Sequence, residues 1–105
     1  MEKEIIDEVI KFRNERDWEK FHTPENLAKS LSIESAELLE CFQWGSEYDK
    51  KEASEELADV LIYAILMAEA LGVDISQIIK DKLIKNGEKY PIEKSKGNST
   101  KYTKF

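Results

Sequence analysis

The chain has 105 residues, of which 41% are hydrophobic and 36% charged, a composition typical of one small globular domain. Its formal net charge of -6 argues against a general nucleic-acid binder and against a polybasic membrane-surface protein, because both need a basic face. The single cysteine, Cys41, excludes an internal disulfide, and the N-terminus does not resemble a signal peptide, so we expect a cytoplasmic protein.

Two segments in the first half of the chain have helical periodicity. The first runs from Glu2 to about Arg16, and its apolar stripe comprises Ile5, Ile6, Val9, Ile10 and either Phe12 or Arg13. Residues 17–22 interrupt the period and predict a loop with partly buried rings. Thr23-Pro24 matches an N-cap followed by the first helical position, which predicts a second helix from Pro24 to about Phe42.

The third predicted helix is unusually apolar. Asp49 and Glu52 have capping-box spacing and start it, and Gly72 is a natural stop after Leu71. From Val60 onward its only charged residue is Glu69. A helix without a polar face is buried on every side, and one small subunit can hardly cover it. We therefore expect a subunit interface along residues 60–71.

The last segments complete an all-α prediction. Asp74 and Gln77 start a fourth helix that runs to about Asn86, where Gly87 and then Tyr90-Pro91 close it. Residues 92–105 carry four lysines against one glutamate, a net charge of +3. We expect a domain over residues 1–91, a four-helix bundle that forms oligomers, followed by a basic tail over residues 92–105. The tail is either disordered or docked on a neighbour through Tyr102 and Phe105.

Two acidic pairs with i, i+3 spacing are the candidate chemistry of the chain. Glu34 and Glu37 lie in the second helix, and Glu56 and Asp59 lie early in the third. Each pair occupies one side of its helix within a turn, and the short connection favours antiparallel packing that places the pairs opposite each other. Facing carboxylates repel, and a hard divalent cation such as Mg²⁺ would relieve the repulsion. The alternative is that these are ordinary salt-bridged surface acids.

Other metal or nucleophilic sites have less support in the sequence. A di-iron helical site would need Glu-x-x-His pairs, and His22, the only histidine, has no glutamate three residues before it. Cys41 has no histidine nearby in the sequence and is expected to be simply buried.

Three segments resemble the MazG-like all-α nucleoside triphosphate pyrophosphohydrolases, and in particular their dCTP pyrophosphatase branch. The segments are residues 15–27 with Arg-Asp-Trp-x-x-Phe-His, residues 34–44 ending in Phe-Gln-Trp, and residues 55–63 with Glu-Glu-Leu-Ala-Asp. The resemblance implies Mg²⁺-dependent hydrolysis of a nucleoside triphosphate, such as dCTP or a related pyrimidine dNTP, to the monophosphate and pyrophosphate. It also implies dimers, or tetramers built from dimers.

The resemblance further assigns roles to individual residues. It implies that Glu34, Glu37, Glu56 and Asp59 bind the metal and that Glu34 or Glu37 activates the attacking water. It places Trp18, His22 and Trp44 at the base and, less specifically, the following residues at the phosphates or sugar: Tyr63, Lys82 and Asn86. Each has an ordinary structural alternative, such as packing for the rings and a solvated surface position for the lysine.

Two other functions stay open from the sequence. One is a non-enzymatic helical interaction module, in which the acids form a solvated face and residues 60–71 form a dimer seam. The other is a related pyrophosphohydrolase that acts on a different substrate, such as phosphoribosyl-ATP.

Overall fold

A computed structural model describes residues 1–104, and Phe105, with its predicted docking role, lies outside the described residues. The described chain contains helices and no strands, so the predicted all-α class is confirmed. Five α-helices follow one another: α1 Lys3–Glu15, α2 Pro24–Glu40, α3 Lys50–Leu71, α4 Ile75–Lys89 and α5 Ile92–Ser95. Short 3₁₀ segments occur at Glu19–Phe21 and Tyr102–Lys104.

Side-chain caps start three of these helices where the sequence predicts. Thr23 accepts a hydrogen bond from the backbone N–H of Asn26 at the start of α2. A carboxylate oxygen of Asp49 accepts from the N–H of Glu52 at 2.9 Å, and Asp74 caps α4 in the same way at 2.8 Å. Each cap satisfies a backbone donor that has no partner within its helix, and so fixes the residue at which the helix begins.

Two helix ends differ from the prediction. α2 ends at Glu40, before Phe42, because the chain tightens there: the N–H of Cys41 binds the carbonyl of Leu38 at 3.1 Å. α4 does not end at Gly87 but continues to Lys89 and ends at Tyr90, the other stop that the sequence predicts. Glycine lowers helix propensity but leaves the backbone donor in place, whereas Pro91 disfavours helical geometry at the preceding residue.

The described chain divides into two compact units, Met1–Val73 and a second that begins at Asp74. In the first unit α2 packs along α3, and α1 makes a smaller contact with α3. The buried apolar side chains there are few: Leu27, with 1% exposed, and Ile65, Leu66 and Ala68 of α3. The second unit contains α4, α5 and a ring contact between Tyr90 and Tyr102, whose centroids are 5.7 Å apart. The division predicted at residue 91 stays a prediction.

The apolar helix α3 is only partly covered by its own chain. Leu61 is 44% exposed, and Leu57, Ile62 and Leu71 are also exposed. No helix within residues 1–104 combines the length and apolarity that crossing a bilayer requires.

The end of α1 organises the segment that carries Trp18 and His22. The N–H of Trp18 binds the carbonyl of Arg13 at 3.2 Å, and the N–H of Asp17 binds that of Asn14 at 3.1 Å. This pair of bonds is a Schellman motif, and it needs a left-handed residue, which here is Asp17 with φ of 53°. The helix ends there, and residues 19–21 form one 3₁₀ turn within the segment that the sequence predicts as a loop.

Candidate functional site

The contact between α2 and α3 brings acidic side chains of both helices together. Glu34 of α2 and Glu56 and Asp59 of α3 each offer a carboxylate oxygen, and these oxygens all lie within 4.8 Å of one another. Glu34 and Glu56 are half-buried and Asp59 is exposed. Glu37, one turn after Glu34, shares hydrogen bonds with both glutamates. Three of the four predicted ligands therefore form one group, and the fourth is bonded to it.

The electrostatics of this group disfavour full ionisation without a cation. Burial, together with a hydrogen bond between Glu34 and Glu37 that favours protonated Glu34 and the charges of Glu37, Asp59 and Glu56, raises the pKa of Glu34 to about 7. Burial first, and then the neighbouring acids Glu37 and Asp59, raise the pKa of Glu56. Low dielectric and like charges both penalise the ionised forms. A bound cation would remove that penalty.

The donor set fits a hard divalent metal ion. One carboxylate oxygen of Glu34 and one of Glu56, Oε2 in each case, is buried and has no hydrogen-bond partner within the described chain. Buried polar atoms are normally paired, so two such oxygens in one acidic group indicate that a ligand belongs there. A set of oxygen donors alone is what Mg²⁺ and Ca²⁺ prefer. The group can therefore hold a metal ion.

His22 lies beside α3 in a second polar position of the same unit. Its ring is 6.4 Å from that of Tyr63, edge to face, so two residues that the family resemblance places near the nucleotide are neighbours. Nδ1 of His22 is buried and has no hydrogen-bond partner among residues 1–104. Burial, followed by the nearby positive charge of Arg13, lowers the pKa of His22. The neutral form of the imidazole is therefore favoured, and its Nδ1 is an unpartnered polar atom.

The two tryptophans occupy different surroundings. Trp18 packs edge-on against Phe12, with ring centroids 5.9 Å apart, and is partly exposed. Trp44, on the connection between α2 and α3, is 93% exposed. The structure gives Trp44 no core role within its own chain, so the packing alternative requires a second molecule.

The remaining predicted nucleotide residues lie on α4, in the second unit. Lys82 is exposed there and Asn86 is half-buried. Their proximity to the phosphates or sugar stays a prediction, as do the assigned roles of the other site residues.

Sequence reasoning missed a functional candidate in Arg13. The apolar stripe of α1 left open whether Phe12 or Arg13 faces inward, and the structure buries Arg13 to 5% exposure while Phe12 is exposed. The available signal was spacing, because Arg13 follows Val9 by four residues and Ile6 by seven. Burying a charged residue in an apolar stripe is costly, so such a residue is a candidate for a functional role.

Comparison with known proteins identifies the family. The model of the MazG-like family matches residues 29–105, which is most of the chain. The chain belongs to the MazG-like family. The membership that three sequence segments predict is thus confirmed.

Named relatives of this MazG-like chain agree with that assignment. Mouse dCTP pyrophosphatase 1 is 42% identical over 102 residues, and the human protein of the same name is 36% identical over 104. These alignments cover 88% and 90% of this chain but 60% and 61% of the relatives, so the chain spans about three-fifths of their length. A solved pyrophosphatase from Archaeoglobus fulgidus DSM 4304 has a TM-score of 0.78 and 44% identity, with 85% of this chain and 91% of that one covered.

Proposed function

We propose that the protein hydrolyses a nucleoside triphosphate, dCTP or a related pyrimidine dNTP, to the monophosphate and pyrophosphate, with Mg²⁺ bound by the acidic group of α2 and α3. The observation that carries the proposal is the pair of unpartnered, buried carboxylate oxygens on Glu34 and Glu56, within 4.8 Å of an Asp59 oxygen. The names of the mouse, human and archaeal relatives support the reaction class.

The ligands proposed for Mg²⁺ are Glu34, Glu37, Glu56 and Asp59. Bound there, Mg²⁺ would neutralise phosphate charge and polarise a water molecule. Glu34, whose pKa is about 7, and its hydrogen-bonded neighbour Glu37 are the candidates for accepting the proton of the attacking water. The water oxygen bonds to the α-phosphorus, the bond from that phosphorus to the oxygen bridging the α- and β-phosphoryl groups breaks, and pyrophosphate leaves with the electron pair.

The base pocket is assigned to the aromatic segment around His22. A nitrogen of the neutral imidazole is either a hydrogen-bond donor or an acceptor, and the edge of a pyrimidine such as cytosine carries groups of both kinds. Tyr63 stands against the imidazole, and Trp18 and Trp44 supply exposed aromatic faces on which a base can stack. Lys82 and Asn86 complete the proposal as contacts to the phosphates or sugar, on the family resemblance.

The first test measures products directly. The purified protein is incubated with each dNTP and NTP in Mg²⁺, and monophosphate and pyrophosphate are separated and quantified. We expect turnover to be fastest with dCTP or another pyrimidine dNTP. A folded protein that turns over no triphosphate contradicts the proposal, and in that case a lack of any Mg²⁺-dependent thermal shift would favour the interaction module. Preference for phosphoribosyl-ATP would move the proposal to the other substrate class.

Matched substitutions distinguish the role of the acidic group from that of an exposed acidic residue. Glu37→Gln and Asp59→Asn are nearly isosteric, and each should lower turnover by at least about 100-fold because a proton acceptor or a metal ligand is lost. Glu69→Gln makes the same charge change at an exposed position of α3 and should leave turnover unchanged. Circular dichroism checks that helical content is retained in all three. Equal turnover in Glu37→Gln and Glu69→Gln would exclude the assigned role of Glu37.

A further inference from the structure

Arg13 is a buried cation with little compensating charge. Its side chain is 6% exposed, and its ion pair with Glu19 spans 3.8 Å to a glutamate side chain that is 71% exposed. A surface carboxylate at that distance contributes little. Burying a guanidinium is costly unless it is paired, so this position is not explained by stability alone.

The guanidinium is nevertheless fixed in orientation. Nε and Nη2 both donate to Oδ1 of Asn14, at 3.0 and 2.8 Å, and this two-pronged contact defines the plane of the group. No hydrogen bond of Nη1 occurs among the described residues. Arginine is therefore held as a rigid, planar charge rather than as a flexible one.

The backbone of Arg13 holds the segment that follows. Its carbonyl oxygen accepts from the N–H groups of Arg16 and Trp18, both at 3.2 Å. The second of these bonds closes the Schellman motif around Asp17 and sets where Trp18 leaves the helix. Four residues after Trp18 the chain reaches His22, whose N–H binds the carbonyl of Glu19 at 3.0 Å. Arg13 thus anchors the turn through its backbone carbonyl, and its guanidinium meets Glu19 within the same turn.

We propose that Arg13 is a positioning residue of the base pocket: its buried guanidinium and its carbonyl fix the turn from Arg16 to His22 and keep a positive charge beside the imidazole. The inference rests on the proposed function, because the pocket is the one assigned to the nucleobase. Its consequence is that the neutral form of His22 is favoured and that the imidazole keeps a fixed place beside Tyr63.

The charged groups around His22 agree with this role. Arg13 acts on the imidazole from α1, Tyr63 faces it from α3, and Glu19 of the 3₁₀ turn faces Arg13. Burial and the charge of Arg13 both lower the pKa of His22.

A titration of the metal-free protein without nucleotide tests whether the charge of Arg13 acts on His22. His22 is the only histidine, so its imidazole signals in an NMR titration are unambiguous. In Arg13→Gln, which keeps an amide donor for Asn14, the pKa of His22 should rise, because the positive charge that lowers it is removed. Lys11→Met removes a positive charge from an exposed position of the same helix and should leave it unchanged. A folded Arg13→Gln protein with the wild-type pKa overturns the proposal.

A second variant tests the geometry even if Arg13→Gln does not fold. Arg13→Lys keeps the charge but loses the planar fork that binds Asn14. We expect a pKa of His22 close to that of the wild type, together with a severalfold higher KM for dCTP at an unchanged kcat. An unchanged KM in Arg13→Lys would overturn the positioning role.

Failure of the inference about Arg13 can be distinguished from failure of the proposed function. The NMR titration uses no nucleotide, so an absence of dCTP hydrolysis removes the proposed function without touching the measured effect of Arg13 on His22. Conversely, active wild-type protein with an unmoved His22 titration in Arg13→Gln removes only this inference.

Discussion

At the scale of single residues, Glu34 shows that an environment unfavourable to an ionised side chain can mark a functional site. The carboxyl group lies between the buried Leu27 stripe of α2 and three other acids, and both environments favour its protonated form. A fold that keeps such a group needs a compensating ligand or a function for the raised pKa. The same reasoning gives a pH dependence that can be measured in the absence of metal.

The metal-free protein should lose stability as pH rises through the range in which Glu34 ionises. Its pKa is about 7 in the fold and 4.5 as the ordinary value, so the folded state binds more protons than the unfolded state between these values. Unfolding free energy therefore falls from about pH 4.5 to about pH 7. Urea unfolding in EDTA across this range should show a shallower fall for Glu34→Gln than for wild type. Identical slopes of unfolding free energy against pH for the two proteins would rule out the ionisation of Glu34 as the cause.

Adding Mg²⁺ should reverse that trend in the wild type. The cation binds the ionised carboxylates, so its thermal stabilisation should grow from pH 5 to pH 8 in the measured melting temperature. Asp59→Asn should retain only a small part of the stabilisation, and Glu69→Gln all of it. A stabilisation by Mg²⁺ that is equal in Asp59→Asn and wild type would place the cation elsewhere.

At the scale of elements, the turn after α1 carries a measurable strain. Asp17 has a φ of 53°, a left-handed conformation that costs a residue with a Cβ about 1 to 2 kcal/mol, less for aspartate. Asp17→Gly should therefore leave stability unchanged or raise it by a few tenths of a kcal/mol, offset by loss of the exposed ion pair with Lys20. Asp17→Val should destabilise by about 1 to 2 kcal/mol in urea unfolding. Equal stability of the glycine and valine variants would contradict the backbone argument.

How far the sequence predicts these elements depends on whether the signal is local. Thr23, Asp49 and Asp74 start their helices as predicted, because a cap involves only residues three apart. The i, i+3 acid pairs were found in the same way. The facing of α2 and α3 required an assumption about packing, and the structure confirms that three acids meet.

What the sequence did not predict depends on contacts between elements. Arg13 rather than Phe12 is the buried residue of α1, whereas periodicity allowed both. The effect of Arg13 on His22 joins residues nine apart across a turn whose shape depends on the left-handed Asp17. Aspartate tolerates that conformation, but unlike glycine it does not indicate a left-handed residue in the sequence.

At the scale of the whole molecule, the exposed apolar surface of α3 raises the question of what covers it. Leu57, Leu61 and Ile62 are each more than a third exposed, in the middle of the helix that carries Glu56 and Asp59. Scattered apolar residues are ordinary on a surface, but consecutive turns of one helix form a continuous strip. We propose, in keeping with the predicted subunit interface, that a second copy of the chain covers this strip.

A substitution at Leu61 tests self-association without entering the acidic group. Leu61→Asn places a polar group in the strip and should lower the molar mass measured by light scattering at micromolar concentration, while helical content is retained. Leu61→Met keeps the apolar area and should leave the mass unchanged, which makes it the matched control. Because α3 also carries Glu56 and Asp59, a loss of assembly should weaken Mg²⁺ binding if the neighbouring copy holds the helix in place. A molar mass of Leu61→Asn equal to that of the wild type would contradict an interface between two copies at this position. A monomeric wild type would contradict it as well.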